Sequence, residues 1–182
     1  WISFASGIRI MTVSFNGSSW LMVSLFDKAT SAGGWVSSRM ASAASMDRYN
    51  VVWNSPSTDA SGQMPLGNGD IAAGVYAIED GALYLLLAKN DALTYNGDIF
   101  KTGRAKISLS PNPLAKGRPF KQTLDLATGS ILIEADGTTI RVWADANKPV
   151  YHVQIDSPKD IAVAAASDLW KRIDGGQWNT TK

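Results

Sequence analysis

The chain has 182 residues, which suffices for one well-filled domain but not for two of ordinary size. Its 17 basic and 16 acidic residues give a formal net charge of +1, so no uniform field would attract nucleic acid or an anionic membrane. The chain contains no cysteine and a single histidine, His152, which excludes disulfides, thiolate chemistry and metal sites built on two histidines. We therefore predict neither a cofactor nor a metal ion.

The acidic residues are distributed unevenly between the two types. Aspartate supplies fourteen of the sixteen carboxylates, and Glu79 and Glu134 are the only glutamates. Helices usually draw on glutamate, whereas aspartate together with sixteen glycines is typical of turns that join short strands. The composition therefore favours an all-β fold.

Residues 1–46 differ from the rest of the chain because they are rich in serine and almost uncharged. Their apolar run at 20–26 is too short to span a bilayer. One interpretation is a damaged secretion signal, since Arg9 precedes an apolar stretch and residues 41–43 have the form of a cleavage site. The other is an extension or hairpin that either packs on the domain or is foreign to it. We assign this segment no function.

From residue 47 onward the chain is regularly patterned. Runs of β-branched and aromatic residues bounded by Gly, Pro, Asn or Asp predict an antiparallel β-sandwich domain at 47–166. Residues 167–182 are predicted to begin a linker or to form a tail. The nine predicted strands are 49–53, 71–78, 82–88, 105–110, 120–126, 130–135, 139–144, 150–155 and 161–166.

Three glycine-containing dipeptides fall between predicted strands, where glycine supplies the positive φ of a tight hairpin. They are Asp80-Gly81, Thr128-Gly129 and Asp136-Gly137. We therefore predict that residues 120–166 form an antiparallel meander.

The alternation of side chains within strands predicts their faces. Ile131 and Ile133 should point one way, into the core, and Glu134 the other, so Glu134 is interpreted as a solvated strand residue rather than a catalytic one. Residues 82–88 are apolar on both faces, which predicts a strand at the centre of a sheet covered on both sides, or beneath a neighbouring domain. His152 is predicted to be a hydrogen-bonded strand residue at the sheet surface, since no serine-based motif accompanies it.

Two connections, 54–70 and 89–104, are longer than structureless loops usually are in compact domains. The first, taken alone, is interpreted as a tight turn in which Asn68 or Asp70 bonds the backbone. The second is rich in short polar residues and contains Tyr95. Such a mixture suits a sugar, because amides and carboxylates pair with hydroxyl groups and an aromatic ring covers C–H patches. A plain turn-forming loop is the alternative, and a calcium site is not favoured because the closing glutamate is missing.

Cleavage of a glycosidic bond usually needs two facing carboxyl groups, one of them with a raised pKa. Neither long loop contains a glutamate, so any acid there would be an aspartate. We therefore expect no complete active site within this chain.

Five motifs occur in the order found in a known family, and the match spans roughly residues 49–156, about three-fifths of the chain. They resemble an N-terminal domain of unknown function in large secreted bacterial proteins classified as glycoside hydrolases. The motifs are YNVVWNSPS at 49–57, MPLGNGDI at 64–71, KNDA at 89–92, LSPNP at 109–113, and RVWADAN at 141–147 followed by Pro149-Val150.

The stretch PLGNG at 65–69 is also distantly similar to PIGNG in the α-L-fucosidase family, which is built as a β-sandwich followed by an (α/α) toroid. In that architecture the catalytic carboxylates lie in the toroid, and sandwich loops approach the mouth of the active site. The resemblance implies a super-sandwich-like fold from which the toroid, and some strands with it, are absent. It also implies an accessory role and a secreted or periplasmic location.

The leading hypothesis is a non-catalytic sandwich domain whose long loops line a carbohydrate site completed by the toroid domain of the same polypeptide. A free-standing carbohydrate-binding module and a structural or oligomerisation domain are the alternatives. Nucleic acid and membrane are not predicted partners, whereas self-association through exposed apolar surface is expected. The residues predicted to face the sugar are Trp53, Asn68, Asp70, Asn90, Asp91 and Tyr95.

Overall fold

The computed structural model describes residues 2–4, 7–16, 20–27, 46–93, 96–97 and 102–168, with side chains described from residue 46 onward. Its strands, in chain order, are β1 Ile2–Phe4, β2 Gly7–Asn16, β3 Trp20–Asp27, β4 Val51–Trp53, β5 Met64–Gly67, β6 Ile71–Ile78, β7 Ala82–Lys89, β8 Gly103–Ser110, β9 Phe120–Asp125, β10 Ser130–Ala135, β11 Thr138–Ala144, β12 Val150–Ser157 and β13 Ile161–Asp168. Two single-turn 3-10 segments occur at Asp47–Tyr49 and Ala60–Gly62.

The strands form two antiparallel sheets that pack face to face. The first sheet has the order β1-β13-β8-β7-β6-β5, and the second has the order β3-β2-β12-β11-β10-β9-β4. The edge strand β5 of the first sheet lies over β10 and β11 of the second. This arrangement confirms the prediction of an all-β antiparallel sandwich.

The core is formed by the inward-pointing residues of both sheets. Ile131, Ile133, Ile140 and Val142 are fully buried, while Glu134 on the opposite face is exposed. Its Oε2 lies 3.8 Å from Lys121 Nζ, an ion pair at the surface of the sheet. The predicted faces of these strands are therefore confirmed.

The three glycines predicted to lie in hairpin turns do lie in turns between consecutive strands. Gly81 has φ 90° between β6 and β7, Gly129 has φ 60° between β9 and β10, and Gly137 has φ 80° between β10 and β11. Asp136 also has a positive φ, 47°, as a two-residue turn between twisted strands requires.

One predicted loop contains a strand that the sequence did not reveal. Within the 54–70 connection, β5 pairs with β6 and directs Met64 and Leu66 into the core, while Pro65 stays exposed. Proline argues against a central strand because it donates no backbone hydrogen bond, but an edge strand tolerates it. β5 is such an edge, so treating 54–70 as a continuous loop was wrong.

The predicted meander was also wrong in its last member. β9 to β12 follow one another as expected, but β13 leaves their sheet and pairs with β8 in the other, with Val163 opposite Leu109. The neighbouring position beside β12 is taken by β2. Ile161 and Val163 are buried in the first sheet, which they complete near its edge.

Strand β7, predicted to be covered on both faces, is central in the first sheet. Leu83 and Leu85 enter the core, whereas Tyr84 points outward and is still buried. Its ring stacks on that of Tyr76, with centroids 5.1 Å apart, and Ala60 packs beside this pair. The outer face of β7 is thus covered by residues of the same domain at Tyr84, whereas Leu86 and Ala88 further along the strand are only partly buried.

The N-terminal segment adds strands to both sheets. β1 pairs with β13, and β2 and β3 form a hairpin that extends the second sheet beyond β12. The predicted tail lies outside the described residues from 169 onward. No helix in the described part of the chain is long and apolar enough to cross a membrane.

Candidate functional site

Three connections meet at one end of the sandwich, which we call the loop end. They are residues 68–70 between β5 and β6, residues 90–93 after β7, and residues 145–149 between β11 and β12. The first two belong to the first sheet and the third to the second sheet. The loop end therefore joins the two layers.

Asn68 is the residue that ties these turns together. Its Oδ1 accepts hydrogen bonds from the backbone N–H groups of Asp70 (3.0 Å) and Ile71 (2.9 Å). Its Nδ2 donates to the carbonyl oxygens of Asp145 (2.6 Å) and Lys148 (3.1 Å). Because an amide side chain offers two donors and two acceptor positions, Asn68 is fully used inside the protein. It positions the site rather than offering free groups to a ligand.

Lys89 connects two of the predicted carboxylates. Its Nζ lies 3.0 Å from Asp70 Oδ1 and 2.6 Å from Asp91 Oδ1. The hydrogen bonds that Lys89 donates, first to Asp91 and then to Asp70, raise its pKa. The same contact lowers the pKa of Asp91, which is therefore ionised at neutral pH. The Asp91 side chain is 70 % exposed and is therefore accessible to a ligand.

Asn90 lies between these ion pairs and is held against the 68–70 turn. Its backbone N–H donates to the Asp70 carbonyl (2.9 Å), and its Nδ2 donates to the Gly69 carbonyl (3.2 Å). Within the described residues its Oδ1 has no hydrogen-bond partner, and the side chain is exposed. Asn90 can therefore accept a hydrogen bond from a ligand.

Asp145 and His152 form an ion-pair geometry on the second sheet, with His152 Nε2 3.2 Å from Asp145 Oδ2. The backbone N–H of Asn147 donates to Asp145 Oδ1 at 2.9 Å. That bond, and then His152, lower the pKa of the Asp145 carboxyl group. The prediction that His152 is a hydrogen-bonded strand residue is confirmed.

Trp143 completes this cluster, and the sequence analysis did not select it. Its ring stacks on the His152 ring with centroids 5.0 Å apart and an interplanar angle of 23°. The Arg141 guanidinium carbon lies 5.7 Å from the Trp143 ring centroid, within the range of a cation–π contact. The signal was available in principle, because the β11–β12 hairpin register places Trp143 directly opposite His152.

Beneath the loop end lies Tyr151, a fully buried residue of β12. Burial raises the pKa of its hydroxyl group, and the negative charge of Asp70 adds to the rise.

The structure thus brings four of the six predicted residues together: Asn68, Asp70, Asn90 and Asp91. Trp53 does not join them, because it lies on β4, at the edge of the second sheet and three strands from β11. At the usual spacing of strands that is about 14 Å across the sheet. Tyr95 lies outside the described residues.

The described carboxylates do not gather around a metal position. No group of three or more His, Cys, Asp or Glu side chains within the described ranges is arranged to hold an ion. At the loop end Lys89 occupies the space between Asp70 and Asp91 where a cation would otherwise sit.

A groove of about 520 Å³ lies elsewhere, on the outer face of the first sheet. The residues at its base are small and apolar, among them Ala72, Gly74 and Ala88. The Gln63 side chain lies over Gly74 so closely that a β-carbon at position 74 would collide with it. None of its lining residues is ionisable, and none was predicted to face a sugar. Because ligand orientation depends on a few well-placed polar groups, we locate the candidate site at the loop end.

Comparison with known proteins places the domain in a family. No curated protein and no solved structure matches the chain significantly. The family model described as a domain of unknown function (DUF5703) matches residues 52–180, well over half of the chain. The matched region contains the loop end and all but the first residue of β4. The chain therefore belongs to the DUF5703 domain family.

Proposed function

We propose that this domain is a non-catalytic accessory sandwich of a carbohydrate-processing protein. Its loop end forms one wall of a sugar site that a helical toroid domain of the same polypeptide completes, in a secreted or periplasmic glycoside hydrolase. The motifs at 64–71 and 89–92, which carry the resemblance to such proteins, build this end.

The observation that carries the proposal is the set of exposed polar groups at the loop end, together with an aromatic ring on β11, the strand that leads into the 145–149 turn. Asp91 and Asn90 offer acceptor oxygens to solvent from a backbone that the Asn68 clamp holds in place. On the far side of the 145–149 turn, the half-buried Trp143 provides an aromatic surface. Fixed acceptors for hydroxyl groups and an aromatic surface are the groups that orient a sugar.

The charges of the cluster support a binding role rather than a catalytic one. A glycosidase acid needs a raised pKa so that it is protonated near neutral pH. Lys89 lowers the pKa of Asp91, and Asn147 with His152 lowers the pKa of Asp145. Both carboxylates are therefore suited to accepting hydrogen bonds and not to donating a proton.

Two other functions compete with this one. A free-standing carbohydrate-binding module would use the same loop end but would need no second domain. A structural or oligomerisation domain is favoured by a different observation, the exposed apolar side chains of Val51, Val52 and Trp53 on an edge strand.

Titration calorimetry of the chain against a panel of oligosaccharides separates these possibilities. One wall of a divided site should bind a sugar only in the millimolar range, whereas a complete binding module should reach micromolar affinity. Asp91→Asn and Trp143→Ala should weaken binding, and Asp156→Asn, an exposed carboxylate of β12, serves as the matched control. If no saccharide binds, or if both variants bind like the control, the proposal is wrong.

A further inference from the structure

Exposed apolar side chains concentrate along one edge of the second sheet. Among the described residues, seven large hydrophobic side chains are more than a third exposed, and six of them lie on or beside β4. Leu126 joins this group because its backbone N–H donates to Asn50 Oδ1, 3.0 Å away. The six, which we call the edge patch, are Met46, Tyr49, Val51, Val52, Trp53 and Leu126. Contiguous apolar patches are uncommon on monomeric proteins and mark interaction surfaces.

Strand β4 has one open side. Within the described residues it pairs only with β9, so the backbone N–H and C=O groups of its other edge are available. Natural edge strands are usually protected by lysine, proline or a covering segment. The edge strand of the first sheet, β5, carries Pro65, whereas β4 has neither a charge nor a proline.

The sequence of this strand is nearly palindromic, reading Asn50-Val51-Val52-Trp53-Asn54. Two copies placed antiparallel about Val52 would set each Val51 opposite the second copy's Trp53, and each Val52 opposite its counterpart. Opposed residues of antiparallel strands point to the same face, so apolar groups meet apolar groups and the flanking amides meet amides. We propose that the edge patch is a two-fold interface with a second copy of this chain, formed by β4 pairing with β4.

The surroundings of β4 favour a second copy as the occupant. The residues that this register brings opposite one another, 50–54, carry no charge, so no like charges oppose one another. β5 lies over β10 and β11, and β6 reaches β9 through the hydrogen bond from Gln122 Nε2 to the Val75 carbonyl (3.4 Å), so among the described strands β4 remains the outermost strand of its sheet. A two-fold contact also buries the same patch on both protomers at once, as isologous interfaces do.

Sedimentation equilibrium of the 182-residue chain tests the interface. The key position is Val52, because the two-fold axis places it opposite Val52 of the second copy. The wild-type chain should show a mass of twice 19.5 kDa that falls on dilution. Val52→Lys and Val52→Glu should each weaken the dimer about tenfold or more, because like charges are then directly opposed. An equimolar mixture of the two variants should restore dimers. Leu93→Lys, an exposed apolar residue elsewhere, is the matched control and should remain dimeric.

Three results would overturn the proposal: a wild-type chain that stays monomeric at high concentration, a dimer that Val52→Lys does not weaken, or a charged pair whose mixture fails to recover. The last two would assign the edge patch to another protein or to another segment of this chain. Circular dichroism of each variant checks that it folds. If the variants unfold, the test is instead the hydrogen-exchange rate of the β4 amides in the wild-type chain. That rate must fall as the protein concentration rises.

Discussion

The two ends of the sandwich are held by the same residue type in similar ways. At the loop end, Asn68 links the 68–70 turn to two carbonyl oxygens of the 145–149 turn. At the opposite end, which we call the turn end, Asn112 Nδ2 donates to the Glu79 carbonyl (2.8 Å) and its Oδ1 accepts from the Leu114 N–H (2.7 Å). Both asparagines join connections that are distant in sequence, so both serve the fold.

What surrounds the two clamps is different. At the turn end, Asp136 is paired with Arg118 and with Lys159 (3.6 Å), around a depression of only about 130 Å³. At the loop end, Asp91 and Asn90 are exposed on the first sheet, and the Trp143–His152 stack lies on the two strands of the second sheet that flank the 145–149 turn. The comparison indicates that a clamp alone does not mark a binding site; the loop end differs from the turn end in its exposed acceptor groups at Asn90 and Asp91.

Replacing Asn68 should have the largest effect on stability. Asn68→Ala removes four hydrogen bonds and leaves part-buried backbone groups without partners, which we expect to cost about 1–3 kcal/mol. Urea unfolding followed by circular dichroism measures the change. Asn90→Ala removes one exposed side-chain bond and is the matched control, with a smaller loss. Equal losses in the two variants would contradict the role of Asn68 as a clamp.

Asn112→Ala should destabilise the protein somewhat less, by about 1–2 kcal/mol, because two side-chain hydrogen bonds are lost. The same urea titration measures it. The variant should bind oligosaccharides as the unchanged protein does, since Asn112 lies at the turn end. A loss of sugar binding that matches the loss in Trp143→Ala would remove the distinction between the ends.

Trp143→Ala removes the stacking on His152, which contributes about 0.5–1.5 kcal/mol in addition to the apolar area that the half-buried ring buries. Trp143→Ala should also weaken sugar binding, by more than the loss of stability alone would cause. Trp143→Phe keeps an aromatic ring and should retain much of both properties. If Trp143→Phe binds sugar as poorly as Trp143→Ala, the ring does not act as a stacking surface.

The smallest expected effect is on the pH dependence of stability, through Asp145. The folded-state pKa of Asp145 lies below that of the unfolded chain, so its contribution to stability is fully present above the unfolded value of about 4. The contribution is lost as the pH falls through the folded value. Asp145→Asn should therefore be less stable at pH 7 and should lose less stability on acidification. Asp156→Asn, tested by urea unfolding across the same range, should behave like the unchanged protein.

Much of the fold could be predicted from local signals. The Asp80-Gly81 and Asp136-Gly137 turns and the alternation of Ile131, Ile133 and Glu134 indicate hairpins and faces within a few residues of chain. β5 was missed because Pro65 argues against a strand unless the strand is known to be an edge. β13 was misplaced because no local pattern records which sheet a strand joins.

The candidate site was only partly predictable for the same reason. Asn90 and Asp91 belong to the loop whose composition suggested a sugar, and they lie together with Asp70 of the other long loop. Trp53 was grouped with them by nearness in sequence, but the sheet order places it on a distant edge. Trp143 depends on hairpin register for its contact with His152, and the role of Asn68 depends on how the two sheets pack.

Amide chemical-shift mapping by NMR, with a titrated oligosaccharide, tests the central claim most directly because it detects millimolar binding residue by residue. The account predicts shifts confined to the loop end, at Asn90, Asp91 and Trp143, with the turn-end residues Asn112 and Asp136 unchanged. Shifts centred on the turn end, or none at any oligosaccharide concentration reached, would contradict it.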